Sequence, residues 1–141
     1  MIEEYIYEIC TFLNIDVPYV SNDTSHFETD TMIAQCNPHM YALFVPEQEK
    51  VTPDLLFSSA HELRHLYQYK TDEEKYFADY KTAEQCTVEE YNLQIAEVDA
   101  NAFAAIIMID VFHLEPQWNG ISKKVISTVK KRMNDIVQEI E

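Results

Sequence analysis

Glycine is almost absent from this chain: Gly120 is the single one in 141 residues. Glycine supplies the positive-φ backbone of tight turns and lets a backbone approach a phosphate closely. Its scarcity removes the Gly-rich loops on which nucleotide-binding folds and many all-β folds depend. Helical periodicity therefore carries most of the reading. Apolar residues form 47% of the chain, and nine Tyr with seven Phe add bulk. That is enough for one buried core, so a single domain over residues 1–141 is expected, without linker, repeat or low-complexity tract.

Ile2, Tyr5, Ile6, Ile9, Phe12 and Leu13 recur at helical spacing and predict a helix over Ile2–Leu13. Val17–Val20 reads as a short strand. Met32–Cys36 and Met40–Val45 read as two strands turning at Asn37-Pro38-His39. Thr52-Pro53 is a helix start, with Thr as cap and Pro where its missing N–H costs nothing. Leu55, Leu56, Ser59, Leu63, Leu66 and Tyr67 carry that helix to about Tyr69. Thr71-Asp72-Glu73-Glu74 has capping-box form and predicts a separate short helix to about Tyr80. Thr87-Val88-Glu89-Glu90 repeats the form and predicts a long helix buried through Ile95, Ala96, Ala100, Phe103, Ala104, Ile107 and Val111. A last helix is expected over Ile121–Ile140. The class is α+β, mostly helical, with a small sheet from the N-terminal half.

The formal net charge is −15. Such a chain offers no basic stripe to a nucleic acid and is repelled by an anionic membrane. The one basic cluster, Lys123, Lys124, Lys130, Lys131 and Arg132, alternates with apolar residues and reads as the solvated face of a helix. Met1-Ile2-Glu3-Glu4 is acidic and no long apolar run follows, so neither a signal peptide nor a membrane span is expected. Cys10, Cys36 and Cys86 are odd in number and widely spaced. Reduced thiols in a cytoplasmic protein are the simpler expectation.

The chemistry concentrates at His61-Glu62-Leu63-Arg64-His65. Two histidines four apart share one helix face, and both imidazoles can converge on one ion. Glu62 points elsewhere on the helix, a position suited to a base acting on a metal-activated water rather than to a ligand. The flanking residues Leu55, Leu56, Phe57, Ala60, Leu63 and Leu66 are apolar. Two histidines and a glutamate buried among them would be costly without a partner such as zinc. A catalytic zinc needs a third protein ligand and an open position. The elongated three-histidine pattern fails, because Gln68 and Thr71 stand where its Gly and His belong. Glu97 and Asp99 lie within the apolar stretch Ala96–Ala104 and are the candidates. Glu97 is in helical phase with Ala100, Asn101 and Ala104, while Asp99 suits a carboxylate that holds a ligating histidine. His26, His39 and His113 have no partner at ligand spacing.

HELRH, followed some thirty residues later by Glu97-Val98-Asp99-Ala100-Asn101-Ala102-Phe103-Ala104, resembles the ImmA/IrrE family of phage- and mobile-element-related zinc peptidases. The likeness spans roughly residues 52–112. It implies a minimal zincin fold of gluzincin type, with His61, His65 and Glu97 as zinc ligands and Glu62 as catalytic acid/base. It also implies a protein substrate, transcriptional repressors among them. Arg64 stands where the family usually carries Gly. Its guanidinium is expected either to reach an acidic residue on a neighbouring helix or to shape the substrate cleft.

The expected activity is zinc-dependent endopeptidase cleavage of a protein or peptide. The alternatives are a non-catalytic zinc-stabilised interaction protein and a metal-free acidic globular protein. Met40–Val45 reads either as an edge strand that pairs with an extended peptide or as an ordinary core strand. Tyr67, Tyr69, Tyr91 and His113 are candidates for an extra hydrogen bond to the reacting carbonyl.

Overall fold

A computed structural model describes residues 2–25, 27, 33–47 and 50–140. It is α+β and mostly helical, as the periodicity predicts. The order is α1 (Ile2–Leu13), β1 (Tyr19–Ser21), β2 (Gln35–Asn37), β3 (Ala42–Phe44), α2 (Pro53–Phe77), α3 (Val88–Asn92), α4 (Ile95–Asp110) and α5 (Lys123–Ile140), with a 3-10 turn at Ala83–Gln85 before α3.

α2 and α4 pack on each other along their length, and α5 also packs on α4. α1 lies against α2. The sheet order is β1-β3-β2, with β1 parallel and β2 antiparallel to β3. β3 is thus the central strand, and its Ala42 and Leu43 are fully buried. This settles the alternatives for Met40–Val45: the segment is a core strand, and the strand at the edge beside α2 is β2.

α4 is the centre of the molecule. From Ala96 to Met108 all but Asn101 are buried. A helix apolar all round belongs in an interior. Its alanines at 96, 100 and 104 are 0% exposed and let α2 approach closely. α5 is amphipathic instead, burying Val125, Val129 and Ile136. Among the described residues no helix is long and apolar enough to cross a membrane.

The boundaries differ from the sequence reading in ways that local chemistry explains. Thr52 caps α2 as expected, its hydroxyl accepting from Leu55 N at 3.2 Å. The separate helix after Thr71 appears instead as a kink within α2, where Asp72 leaves helical geometry at φ −162°, ψ 73°. Asp72 rather than Thr71 is the cap there: its Oδ1 accepts from Lys75 N at 3.2 Å, while the Thr71 hydroxyl donates back to Tyr67 O. The Thr87 capping box forms, but it opens only the short α3. The chain is then extended at Gln94, whose amide bonds both N–H and C=O of Lys81 and so breaks the long helix in two. Ile95 and Val111, expected on the buried face, flank the buried stretch and are exposed. The first strand begins at Tyr19, after Pro18, and the hairpin turn extends over Pro38–Tyr41. The part of the Met32–Cys36 strand at residue 32 lies outside the described residues, as does His26. α5 starts at Lys123, with the Ser122 hydroxyl accepting from Val125 N. Gly120, at φ +76°, occupies the left-handed turn leading into it.

Leu63 is 0% exposed in the shared core of α2 and α4, whereas Val137 on α5 is 38% exposed. Leu63→Ala is expected to cost about 2–5 kcal/mol in urea unfolding, and the surface change Val137→Ala within about 0.5 kcal/mol of nothing. Equal losses at the two positions would contradict this packing.

Candidate metal centre

Residues 61, 64, 65 and 68 follow the i, i+3, i+4, i+7 stripe of one helix face, and on α2 this face looks at α4. The stripe is polar: His61, Arg64, His65 and Gln68. α4 answers with Glu97, Asp99 and Asn101. Glu97 and Asp99 are about 200° apart around the helix, so they serve different partners.

Glu97 meets both histidines. Its Oε1 lies 3.3 Å from His61 Nε2 and its Oε2 lies 3.0 Å from His65 Nε2. One ligand atom from each residue lies within 4.8 Å of the others. Ligands at about 2.05 Å around a tetrahedral zinc are separated by about 3.3 Å, so the donor set fits such an ion in size, charge and atom type. The outward nitrogens are engaged as well. His61 Nδ1 lies 2.7 Å from Asn101 Oδ1, and His65 Nδ1 lies 2.9 Å from Gln68 Oε1. Partners of this kind turn both Nε2 atoms inward, toward where a metal would sit.

Asp99 does not join this group. It receives Arg64 Nε at 2.8 Å, Gln68 Nε2 at 2.8 Å and Arg132 Nε at 2.9 Å. Of the two candidate third ligands, the structure brings Glu97 to the histidines and gives Asp99 to the guanidiniums. Arg64 takes the first of its two expected roles, reaching an acid on the neighbouring helix, and its guanidinium also lies 4.4 Å from the centre of the Tyr67 ring. Arg132 departs from the expected solvated face: the lysines of its cluster are exposed, but it turns inward to Asp99.

Glu62 points away from α4 into a cleft of about 370 Å³ that also exposes His61 and His65. β2 forms one wall with Gln35 and Cys36, and Phe77, Tyr80 and Tyr91 form another. The Cys36 thiol faces Glu62. Burial first, and then the Glu62 carboxylate, push its pKa well above the usual thiol range.

Tyr80 is the site residue that sequence reasoning missed. Its hydroxyl lies 2.8 Å from Glu97 Oε2 and 2.9 Å from the Tyr91 hydroxyl. A carboxylate only accepts, so Tyr80 donates to it. Burial and the charge of Glu97 raise the Tyr80 pKa, and the same causes push Tyr91 up to about 12. Both hydroxyls therefore stay protonated donors. The kink at Asp72 is what swings the end of α2 and the following Tyr80 toward Glu97, and no periodicity signals it. Of the other candidates, Tyr69 lines the cleft, Tyr67 lies under Arg64, and His113 is exposed in the turn after α4. His39 packs edge-on against Tyr69.

No protein-family model, curated protein or solved structure matches this chain.

Without metal, the Glu97 pair has its own pH signature. Burial disfavours charged His65, yet its hydrogen bond to Glu97 and the charges of Glu97 and Glu62 outweigh this and raise its pKa from 6.5 to about 9. Burial likewise opposes ionised Glu97, but hydrogen bonds from both histidines and their charge lower its pKa below the ordinary 4.5. The His65 contribution to stability is complete below pH 6.5 and lost as pH rises through about 9. The Glu97 contribution is present above pH 4.5 and lost as pH falls. In chelator-treated protein both windows overlap at pH 4.5–6.5. The melting temperature is expected to exceed that of Glu97→Gln by most in that range and to approach it toward pH 9 and above. A constant difference across the whole range would contradict the pairing.

Proposed function

We propose that the chain is a zinc-dependent endopeptidase acting on a protein or peptide. The observation that carries this reading is the convergence of His61, His65 and Glu97, with Glu62 beside them in an open cleft. The donor set supplies three ligands and leaves a side facing the cleft, the pattern of catalytic rather than structural zinc. The ImmA/IrrE likeness of HELRH and the Glu97 helix agrees with it. Three free cysteines accord with a cytoplasmic location.

Zinc, when bound, would supply Lewis acidity and a water able to lose a proton near neutral pH. Glu62 reaches the same cleft without touching Glu97. Its carboxylate takes the proton from the attacking water and returns it to the leaving amine. Tyr80, a neutral phenol between Glu97 and Tyr91, gives its one hydrogen to Glu97 Oε2 and so orients the ligand carboxylate.

The cleft also favours a peptide over a small molecule. It shares Pro38 and Tyr69 with a second hollow of about 220 Å³, lined by His39, Tyr41 and Lys70. Together they offer a continuous surface for several residues. β2 lies at the edge of the sheet along this surface, where an extended segment can add as a further strand.

Purified protein is expected to hold one zinc per chain by elemental analysis. Glu62→Gln should keep the zinc and lose peptidase activity by at least about a hundredfold, the scale of general acid–base catalysis. Tyr80→Phe should weaken zinc binding by about tenfold, because it removes the hydroxyl that donates to the ligand carboxylate. Zinc retained with full activity in Glu62→Gln would overturn the assignment of Glu62. Zinc bound with no hydrolysis of any peptide in a degenerate library would favour the non-catalytic interaction protein.

A further inference from the structure

Asp99 is 1% exposed and Gln68 is 0% exposed, yet neither is required as a ligand. Their hydrogen bonds close on each other. The Gln68 amide nitrogen donates to Asp99 Oδ2 at 2.8 Å and to Ala96 O at 3.0 Å. A carboxylate and a backbone carbonyl can only accept. Both amide hydrogens are thereby committed, and the amide cannot be turned over without setting its oxygen against two acceptors. The oxygen must therefore face His65 Nδ1, which in turn must carry a hydrogen. The remaining lone pair on neutral His65 is then on Nε2, the nitrogen beside Glu97.

The orientation of Gln68 depends on Asp99 remaining a carboxylate in this position. Two guanidiniums hold it there. Arg64 of α2 bonds both oxygens, at 2.8 and 3.1 Å. Arg132 of α5 bonds Oδ1 through Nε at 2.9 Å and Nη2 at 2.8 Å. Arg132 is itself aimed by Glu139, one turn pair further along α5, at 2.9 Å.

We propose that Asp99 and Gln68 form a positioning chain that fixes the metal-binding tautomer of His65, and that Arg132 completes it from α5. The C-terminal helix thus governs metal affinity without contributing a ligand. This rests on the zinc reading of His61, His65 and Glu97. It goes beyond that reading in giving the buried Arg64–Asp99–Arg132 group a task, and in tying the site to a helix outside the motif region.

Four substitutions at three positions test it. Asp99→Asn presents an amide that can donate to Gln68, so only Ala96 O still opposes turning of the Gln68 amide, and the orientation that offers N–H to His65 and selects the wrong tautomer gains population. Gln68→Met removes the acceptor and keeps every charge. Arg132→Gln removes the contact from α5, and Arg132→Lys restores its charge. Zinc affinity is read by competition with a fluorescent chelator, and fold and stability of the zinc-free proteins by circular dichroism and melting. Asp99→Asn and Gln68→Met are expected to weaken zinc binding by about 10–100-fold, the usual cost of losing a partner behind a ligating histidine. Arg132→Gln is expected to weaken it less, with partial recovery in Arg132→Lys. If Asp99→Asn does not fold, Gln68→Met decides. Variants that melt earlier but bind zinc like the wild type overturn the proposal and leave the zinc reading standing. Wild-type protein that takes up no zinc overturns the zinc reading itself, and the positioning chain with it.

Discussion

Two carboxylates buried within one turn of one helix set the terms for the rest of the molecule. Glu97 and Asp99 are 2% and 1% exposed near the start of the largely apolar α4. An unpaired carboxylate in such a place would lose its hydration without return. Each therefore dictates what stands opposite. Glu97 demands cationic or N–H partners from His61, His65 and Tyr80, and Asp99 demands them from Arg64, Gln68 and Arg132. The rotation and offset of α2 against α4 follow from meeting both demands at once. A slip of one residue along α2 would present Glu62 and Leu66 to carboxylates that need donors.

The two acids differ in how completely they are answered. Asp99 has two guanidiniums and an amide, and its charge is more than balanced by fixed cations. Glu97 has no fixed cation. Its partners are two imidazoles, which must be protonated to supply charge, and one neutral phenol. A divalent ion held by His61, His65 and Glu97 would answer the carboxylate better, because it would supply charge without protonating a histidine. This asymmetry is why one acid reads as structural and its neighbour as part of a metal centre.

Much of this was legible in the sequence. The spacing of His61 and His65, the Thr52-Pro53 start of α2 and the apolar setting of Glu97 are local patterns, and local patterns survive folding. The role of Asp99 as a carboxylate away from the ligand position was one of two readings, and only the distance to Arg64 decides it. What could not be read depends on residues far apart in the chain. Tyr80 comes to Glu97 because α2 kinks at Asp72, and Gln94 splits the long helix because its side chain ties to Lys81. Arg132 looked like one more solvated cation because four of its neighbours in the cluster are lysines. It differs from them in facing the same way as Val125, Val129 and Ile136, seven, three and four residues away. A basic residue in phase with a buried stripe is a signal that a buried acid waits across the interface.

Arg64 shows how one residue on α2 calls for a buried acid across the interface. A glycine at that position would leave α2 and α4 free to pack through alanine alone, and Asp99 would then have lost its bidentate partner. With arginine present, the acid is needed, and with the acid present, a second guanidinium from α5 and the Gln68 amide find a place. α2 continues past His65, which keeps Gln68 on the same face as His61 and His65 and lets it reach Ala96 O, Asp99 and His65 together. The continuation of α2 past His65 and the buried Asp99 are thus two halves of one arrangement, and either without the other would leave a buried polar group unanswered.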